Sequence, residues 1–107
     1  MRMLMTERSF DFIWCDGEAF QQGAHPNATV QSTMEELTLK VGLYKAIDAK
    51  SSDIPVEELQ LMKDRMMGEI LLTLALLSAI DNINVASALY DALQSRSINH
   101  YDQKHPL

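Results

Sequence analysis

The 107-residue sequence is poor in the features that mark several common classes of protein. It has one cysteine, Cys15, so an intramolecular disulfide is impossible and no zinc cluster is encoded. Basic residues are scarce: 9 Lys and Arg face 15 Asp and Glu, no two basic residues are adjacent, and the net charge is −6. This balance argues against a nucleic-acid partner held by a basic face and against binding to an anionic membrane surface.

Long apolar runs are also absent. The longest, Ile70 to Ile80, is interrupted by Thr73 and Ser78 and is well short of the roughly 20 residues that span a bilayer. The N-terminus has no apolar region of the kind that a signal peptide needs. We therefore expect a cytoplasmic protein without a membrane partner, in which this run forms a central helix covered on nearly all sides.

No stretch alternates between apolar and polar residues with a period of two, whereas four segments carry apolar residues at helical spacing. In the second segment the predicted apolar stripe consists of Met34, Leu37, Val41, Tyr44 and Ile47, widened by Leu39 and Leu43. The sequence therefore predicts an all-α fold, a four-helix bundle with short connections. Since a chain of this length buries only somewhat over about 60% of its unfolded surface, we expect a second copy to complete the core. The predicted domain spans residues 1–97, and residues 98–107 form a tail without periodicity.

Capping residues and breaks set the predicted limits of the helices. Gly68 lies inside the third helix, at a cost of about 1 kcal/mol relative to alanine, which indicates either a close helix contact or a break. The first predicted helix runs roughly from residue 7 to 20 and is capped by Thr6, and the second runs from Val30 to about Ala49 and is capped by Asn27 or Thr29. The third begins at Pro55 or Val56, is capped by Ser52 or Asp53 and ends at about Ile80. The chain then turns at Asn82 in the left-handed conformation, and the fourth helix, capped by Asn84, runs from Val85 to near Ser97.

The order of several landmarks resembles that of the MazG-type, all-α nucleoside triphosphate pyrophosphohydrolases. The landmarks are Trp14 in the first helix, Ala28-Thr29-Val30-Gln31 at the start of the second, Gly68-Glu69 before the long apolar run, and Ala88-Leu89-Tyr90 in the last helix. The resemblance implies a dimer or tetramer in which facing carboxylates of the second and third helices hold Mg²⁺. Such enzymes split a nucleotide into a monophosphate and pyrophosphate, with the ion neutralising the triphosphate while water attacks.

The acidic motifs of that family are mostly lost in this sequence. Matched without gaps, the three acids of the family's E-E-x-x-E motif become Leu39, Lys40 and Leu43. In the facing E-x-x-D motif one acid is replaced by Met66 and the other survives as Glu69. In the last helix Tyr90 and Arg96 match the family, whereas its Asn is replaced by Asp91 and its phosphate-binding lysines by Gln94 and Ser97.

These replacements favour a non-catalytic MazG-like protein that needs no cofactor and binds a protein partner, or a nucleotide without hydrolysis. A small acidic scaffold of this kind fits a regulator or inhibitor such as phage and mobile-element genomes carry. In this hypothesis Lys40 pairs with Glu69, so that an ammonium stands where Mg²⁺ would. The alternative is a Mg²⁺-dependent pyrophosphohydrolase with a relocated acid set, and a third interpretation is a purely structural assembly domain. The relocated set comprises Glu35, Glu36, Glu69 and Asp91.

Other candidate residues have both a functional and a packing interpretation. Trp14 either anchors the first helix in the core or stacks on a base or a second subunit. Cys15 is expected to pack as a small hydrophobic residue. Ligand or partner contacts are expected from Trp14, Tyr90, Asp91 and Arg96, whereas His25, His100 and His105 lack the spacing of a metal site.

Overall fold

The computed structural model describes the backbone of residues 9–104 and the side chains of residues 9–97. Within that part of the chain the structure is helical and contains no strand, so the all-α prediction is confirmed. The helices, in chain order, are α1 (Phe10–Ala24), α2 (Val30–Ala49), α3 (Val56–Ile80) and α4 (Val85–Lys104), with a single 3₁₀ turn at Ser51–Asp53.

Side chains cap the helices at three of the four starts. Ser9 caps α1, accepting a hydrogen bond from the amide of Phe12 (3.1 Å), and the helix begins at Phe10 rather than near residue 7; the predicted cap Thr6 lies outside the described residues. Thr29 caps α2 as one of the two predicted alternatives, in a reciprocal pair with Ser32. The Asn84 cap of α4 is also confirmed, since its Oδ1 accepts from the amide of Ser87 at 3.0 Å.

The turn after α3 has the predicted conformation, whereas the start of α3 differs from the prediction. Asn82 adopts the predicted left-handed conformation, with φ 55°. Before α3, however, Ser52 and Asp53 do not cap the helix, because they form the 3₁₀ turn. Pro55 itself occupies the N-cap position and offers no side-chain hydrogen bond. Its missing N–H is harmless there, since the first amides of a helix have no partner within the helix.

The helix α3 lies between α1 and α2 and carries the small core. Ala75 and Leu76 are the buried hydrophobic residues among residues 9–97. At Gly17 α1 lies against α3, and an added Cβ would lie 3.7 Å from both the Cβ of Ala75 and the Cδ2 of Leu72, which is ordinary van der Waals contact. Buried polar residues complete this layer: Gln21, Thr33, Thr73 and Ser78.

Two predictions about α3 are wrong for a single chain. The helix is not covered on nearly all sides, since Leu71 is 43% exposed and Ile70, Leu74 and Leu77 are only half-buried. Gly68 marks neither a break nor a close contact: α3 continues through it, and nothing lies within 4 Å of a Cβ added there. One chain therefore leaves much of its central helix open.

The last helix does not pack alongside the other three. It is bent by 102° from α3, and among its described side chains, those of residues 85–97, only Val85 and Ala86 are half-buried. Leu89, Tyr90 and Leu93 are 51–61% exposed. The helix also extends to Lys104, beyond the predicted end near Ser97, so most of the segment predicted to be a tail has helical backbone. Residues 105–107 of that tail lie outside the described residues.

Among the described residues, no single helix combines the length and the apolar character that crossing a membrane requires. By length and composition alone, α3 and α4 meet that criterion only as a pair, and the pair is sharply bent at the turn between them.

Candidate functional site

The candidate site lies between α2 and α3, where Lys40 reaches across to the facing helix. Its ammonium donates to Oγ1 of Thr73 at 2.9 Å and to Oε1 of Glu69 at 3.3 Å. A second carboxylate, Glu36, lies one turn earlier on α2, with its Oε1 3.8 Å from the ammonium. The predicted contact between Lys40 and Glu69 is therefore confirmed. One positive charge stands between two negative ones in the interhelical gap.

The direction of Lys40 follows from which face of α2 packs. The side chains of α2 that are buried or half-buried recur every three or four residues, as on one face of a helix. Lys40 belongs to this face, whereas Met34 and Val41, predicted to belong to it, are 45% and 50% exposed. The predicted apolar stripe is thus wrong at these two positions. The packed face consists of Thr33, Leu37, Lys40, Tyr44 and Ile47.

The polar atoms under the Lys40 ammonium satisfy one another. Thr73 is 2% exposed, and its hydroxyl donates to the main-chain oxygen of Glu69 at 3.1 Å while accepting from Lys40. The Lys40 side chain is only 16% exposed, whereas the carboxylates of Glu36 and Glu69 are more than half exposed. The ammonium is thus held inside the gap by a buried hydroxyl and balanced by acids that still contact solvent.

Two further positions of the family's metal motif, Leu39 and Leu43, do not face this gap. Leu39 is 58% exposed and Leu43 is 45% exposed, so both turn outward from α2. Met66 is half-buried on α3. Of the five motif positions, Lys40 and Glu69 are the pair that the structure joins by a polar contact.

The relocated acid set is not assembled within one chain. Within residues 9–97, no group of three or more His, Cys, Asp or Glu side chains lies close enough together to hold a metal ion. Glu36 is beside Lys40, but Glu35 is an exposed residue of α2 and Asp91 is an exposed residue of the projecting α4.

A cavity of about 460 Å³ opens beside Lys40, at the end of α1 and the start of α2. Gln21 lies in its wall with only 7% exposure, and its amide Nε2 donates to the main-chain oxygen of Leu72 at 3.1 Å. His25 and Asn27 also line it. Sequence reasoning missed Gln21, although it follows Trp14 and Gly17 at helical spacing on the face of α1 that meets α3.

Trp14 fastens α1 to α3. Its indole Nε1 donates to Oγ of Ser78 at 3.0 Å, and the Ser78 hydroxyl lies 2.9 Å from Oε2 of Glu18 and 2.8 Å from the main-chain oxygen of Ala75. The Trp14 side chain is half-buried and its ring centroid lies 5.5 Å from that of Phe10. The anchoring role predicted for Trp14 is therefore present, although one side of the ring stays open.

The other predicted contact residues lie away from the Lys40 cavity. Tyr90 is 61% exposed on α4, where its hydroxyl accepts from Nε2 of Gln94 at 2.6 Å. Asp91 and Arg96 are exposed on the same helix. Cys15 is exposed, so the prediction that it packs as a small hydrophobic residue is wrong. Cys15 lies off the face of α1 that contacts α3, which runs through Trp14, Gly17 and Gln21.

Comparison of the chain with protein-family models, curated proteins and solved structures gives no significant match. The likeness to the MazG-type enzymes therefore rests on the sequence landmarks alone.

Proposed function

We propose that this protein is a non-catalytic protein of the MazG-like type, which acts by binding rather than by hydrolysing nucleotides. The observation that supports the proposal is the Lys40 ammonium between Glu36 and Glu69. Glu69 is the surviving acid of the motif to which the resemblance assigns the metal, and Glu36 lies one turn before Lys40 on α2. Lys40 neutralises them without a metal.

The physical reason is competition between two cations for one place. Mg²⁺ requires oxygen ligands in a nearly octahedral arrangement at close range. Two unit charges 4 Å apart repel by about 4 kcal/mol at an effective dielectric constant of 20, and Mg²⁺ carries two charges. Since Lys40 is held by Thr73 in the gap, the ion would have to displace it or bind beside it. Loss of the acids at positions 39, 43 and 66 removes the ligands that would offset this repulsion.

Binding, rather than a purely structural role, is supported by what one chain exposes. Large hydrophobic side chains on all four helices are more than 39% exposed, among them Phe20, Leu39, Leu61 and Leu93. Surfaces of this kind, when contiguous, mark protein–protein contacts. The proposal therefore includes self-association as a dimer or tetramer and a protein partner. The cavity beside Lys40 favours a second candidate, a nucleotide bound there without hydrolysis.

Pyrophosphate release separates binding from catalysis. We expect no release above background when the protein is incubated with a panel of ribo- and deoxyribonucleoside triphosphates and Mg²⁺ or Mn²⁺. Release that is abolished by Glu69→Ala would overturn the proposal, because it would show that the surviving acid serves a metal-dependent reaction.

Thermal unfolding with the same nucleotides tests the second candidate. A ligand at 100 times its dissociation constant adds about 2.7 kcal/mol to the free energy of unfolding. If a nucleotide binds in the cavity, Lys40→Ala should remove the stabilisation, whereas Lys45→Ala, at an exposed position on the same helix, should leave it. Absence of any nucleotide effect leaves the protein-partner form of the proposal.

A further inference from the structure

An apolar groove runs between α1 and α3, on the side of α3 away from Lys40. Phe10, Ile13 and Trp14 form its α1 wall, and Gly68, Leu71 and Ala75 belong to its α3 wall. Its volume is about 350 Å³ and its surface is almost entirely apolar. The indole N–H of Trp14, in the α1 wall, is already bonded to Ser78.

Gly68 makes this groove accessible to another helix. Nothing in the chain lies within 4 Å of a Cβ placed there, and α3 continues unbroken through it. A glycine inside a helix costs about 1 kcal/mol relative to alanine. Packing within the chain does not account for the glycine, whereas close approach by an outside helix would.

The helix α4 projects from its own chain and, among its described side chains, packs against it only through its first turn. The turn at Asn82 and the cap at Asn84 direct α4 away from α3 at 102°. Beyond its first turn the helix exposes apolar side chains, with Leu89 51% and Leu93 59% exposed. This helix and the groove are complementary in character, and each is open in its own chain.

We propose that the groove is the docking site for α4 of a second copy of this chain, and that two copies exchange α4 reciprocally about a two-fold axis. The exchange rests on the self-association that the proposed function includes, but it does not depend on the loss of catalysis, since the groove and the Lys40 site lie on different sides of α3. A second copy is the occupant that the chain itself supplies, in the arrangement that symmetric dimers use most often.

The area is close to that of a specific dimer. Beyond its first turn, which packs against its own chain, α4 has about 16 residues and is about 24 Å long and about 10 Å wide. Each docked helix covers this footprint on both partners, and a symmetric dimer contains two such contacts, so about 960 Å² is covered in total. That value is close to the threshold of about 1,000 Å² for a specific interface.

The charges favour α4 over other elements as the docked part. Two copies with a net charge of −6 repel each other in general. The α1 wall adds to this repulsion, because α1 carries Asp11, Asp16 and Glu18 and no Lys or Arg. In α4 the two acidic and two basic residues cancel. A neutral helix can therefore lie beside α1 with little electrostatic cost.

Two variants test the two halves of the contact by sedimentation velocity. We expect the wild-type protein to sediment at twice 12.1 kDa at micromolar concentrations. Gly68→Leu fills the groove, and the double change Leu89→Glu with Leu93→Glu makes the docked face acidic. Each should raise the dimer dissociation constant at least tenfold, which corresponds to about 1.4 kcal/mol.

Matched controls make the same chemical changes elsewhere. Gly42→Leu adds the same side chain at a helical glycine with open space around it, and Ser95→Glu adds an acid at an exposed position on α4. Both control proteins should remain dimeric. The fluorescence of Trp14, the sole tryptophan, provides a second measurement, because its ring lines the groove. Its emission maximum should shift to longer wavelength as wild-type dimers dissociate on dilution.

Mixing the two defective variants distinguishes helix exchange from any other dimer. A mixed pair retains one complete contact, formed by the intact α4 of the Gly68→Leu chain and the intact groove of the other. Each variant alone should be monomeric or should lose helix content, and the mixture should regain dimer mass and helical circular dichroism. A monomeric wild type, dimers that survive both changes, or a mixture that gives no dimer would each overturn the proposal.

Discussion

Replacing Lys40 by an acid should convert the gap between α2 and α3 into a metal site. Lys40→Glu would place a third carboxylate between Glu36 and Glu69, which already lie 3.8 and 3.3 Å from the ammonium. Without metal we expect the variant to be less stable than the wild type by about 2 kcal/mol. This figure combines up to about 1 kcal/mol for a lost exposed ion pair with repulsion among half-exposed acids.

Divalent ions should reverse that loss. At a Mn²⁺ concentration ten times the dissociation constant, binding adds about 1.4 kcal/mol to the free energy of unfolding. For a domain of this size, 1 kcal/mol changes Tm by about 4–8 °C, so the expected rise is about 6–11 °C. Differential scanning fluorimetry across a Mn²⁺ and Mg²⁺ titration measures it directly.

The wild type and one matched variant complete the experiment. Lys45→Glu adds an acid at an exposed position of the same helix and should show no metal-dependent change in Tm. The wild type should show none either. If Lys40→Glu responds no more than these two proteins, then the ammonium does not occupy a place suited to a metal, and the reasoning behind the non-catalytic proposal is refuted.

Three smaller predictions concern α1. Ser78→Ala removes the hydroxyl that lies 2.9 Å from Glu18, so it should lower the free energy of unfolding by about 2–3 kcal/mol in urea titrations, as expected for a hydrogen bond to a charged group. Gly17→Ala should be tolerated, because the added Cβ meets its neighbours at 3.7 Å, whereas Gly17→Leu should destabilise by about 1–3 kcal/mol through overpacking; the same titrations compare them. The pKa of the Cys15 thiol is raised mainly by partial removal from water and, to a smaller extent, by nearby acids including Asp11. The reactive thiolate therefore forms only at higher pH. Iodoacetamide should therefore modify Asp11→Asn faster than the wild type at pH values below the thiol pKa, and equal rates would contradict this cause.

The parts of the fold that depend on neighbouring residues could be predicted from the sequence. The limits of α2 and α3, the Asn84 cap and the left-handed Asn82 are all set by side chains within a few positions of the backbone they affect. Such local effects are visible in one sequence because residues three and four apart share a helix face. The extension of α4 to Lys104 was missed because its last segment has no apolar periodicity.

The orientation of α2 could be predicted only in part, because it depends on the facing helix. By apolar spacing alone Val41 belongs to the packed face, but Lys40 takes that place through a hydrogen bond to the hydroxyl of the buried Thr73. A lysine side chain can point inward only where a polar or acidic group binds its ammonium. The spacing of residues on one helix does not reveal that group, because it lies on the facing helix. The comparison of motifs supplied it, since it placed Lys40 opposite Glu69.

In the proposed dimer, the exposed side chains of one chain would couple association to folding. Phe10, Leu71, Leu89 and Leu93 are 43–59% exposed, and full burial of such a side chain is worth about 1.5–3 kcal/mol. Covering the exposed half of four of them would add about 4 kcal/mol per chain. A domain has only about 5–15 kcal/mol in total. Buried hydrophobic residues within residues 9–97 are limited to Ala75 and Leu76, so the proposed dimer would add its apolar burial on the α1 side of α3, while the other side is held by the Lys40 network. The two faces of α3 thus differ: one is closed by an internal charge, and the other is open in one chain.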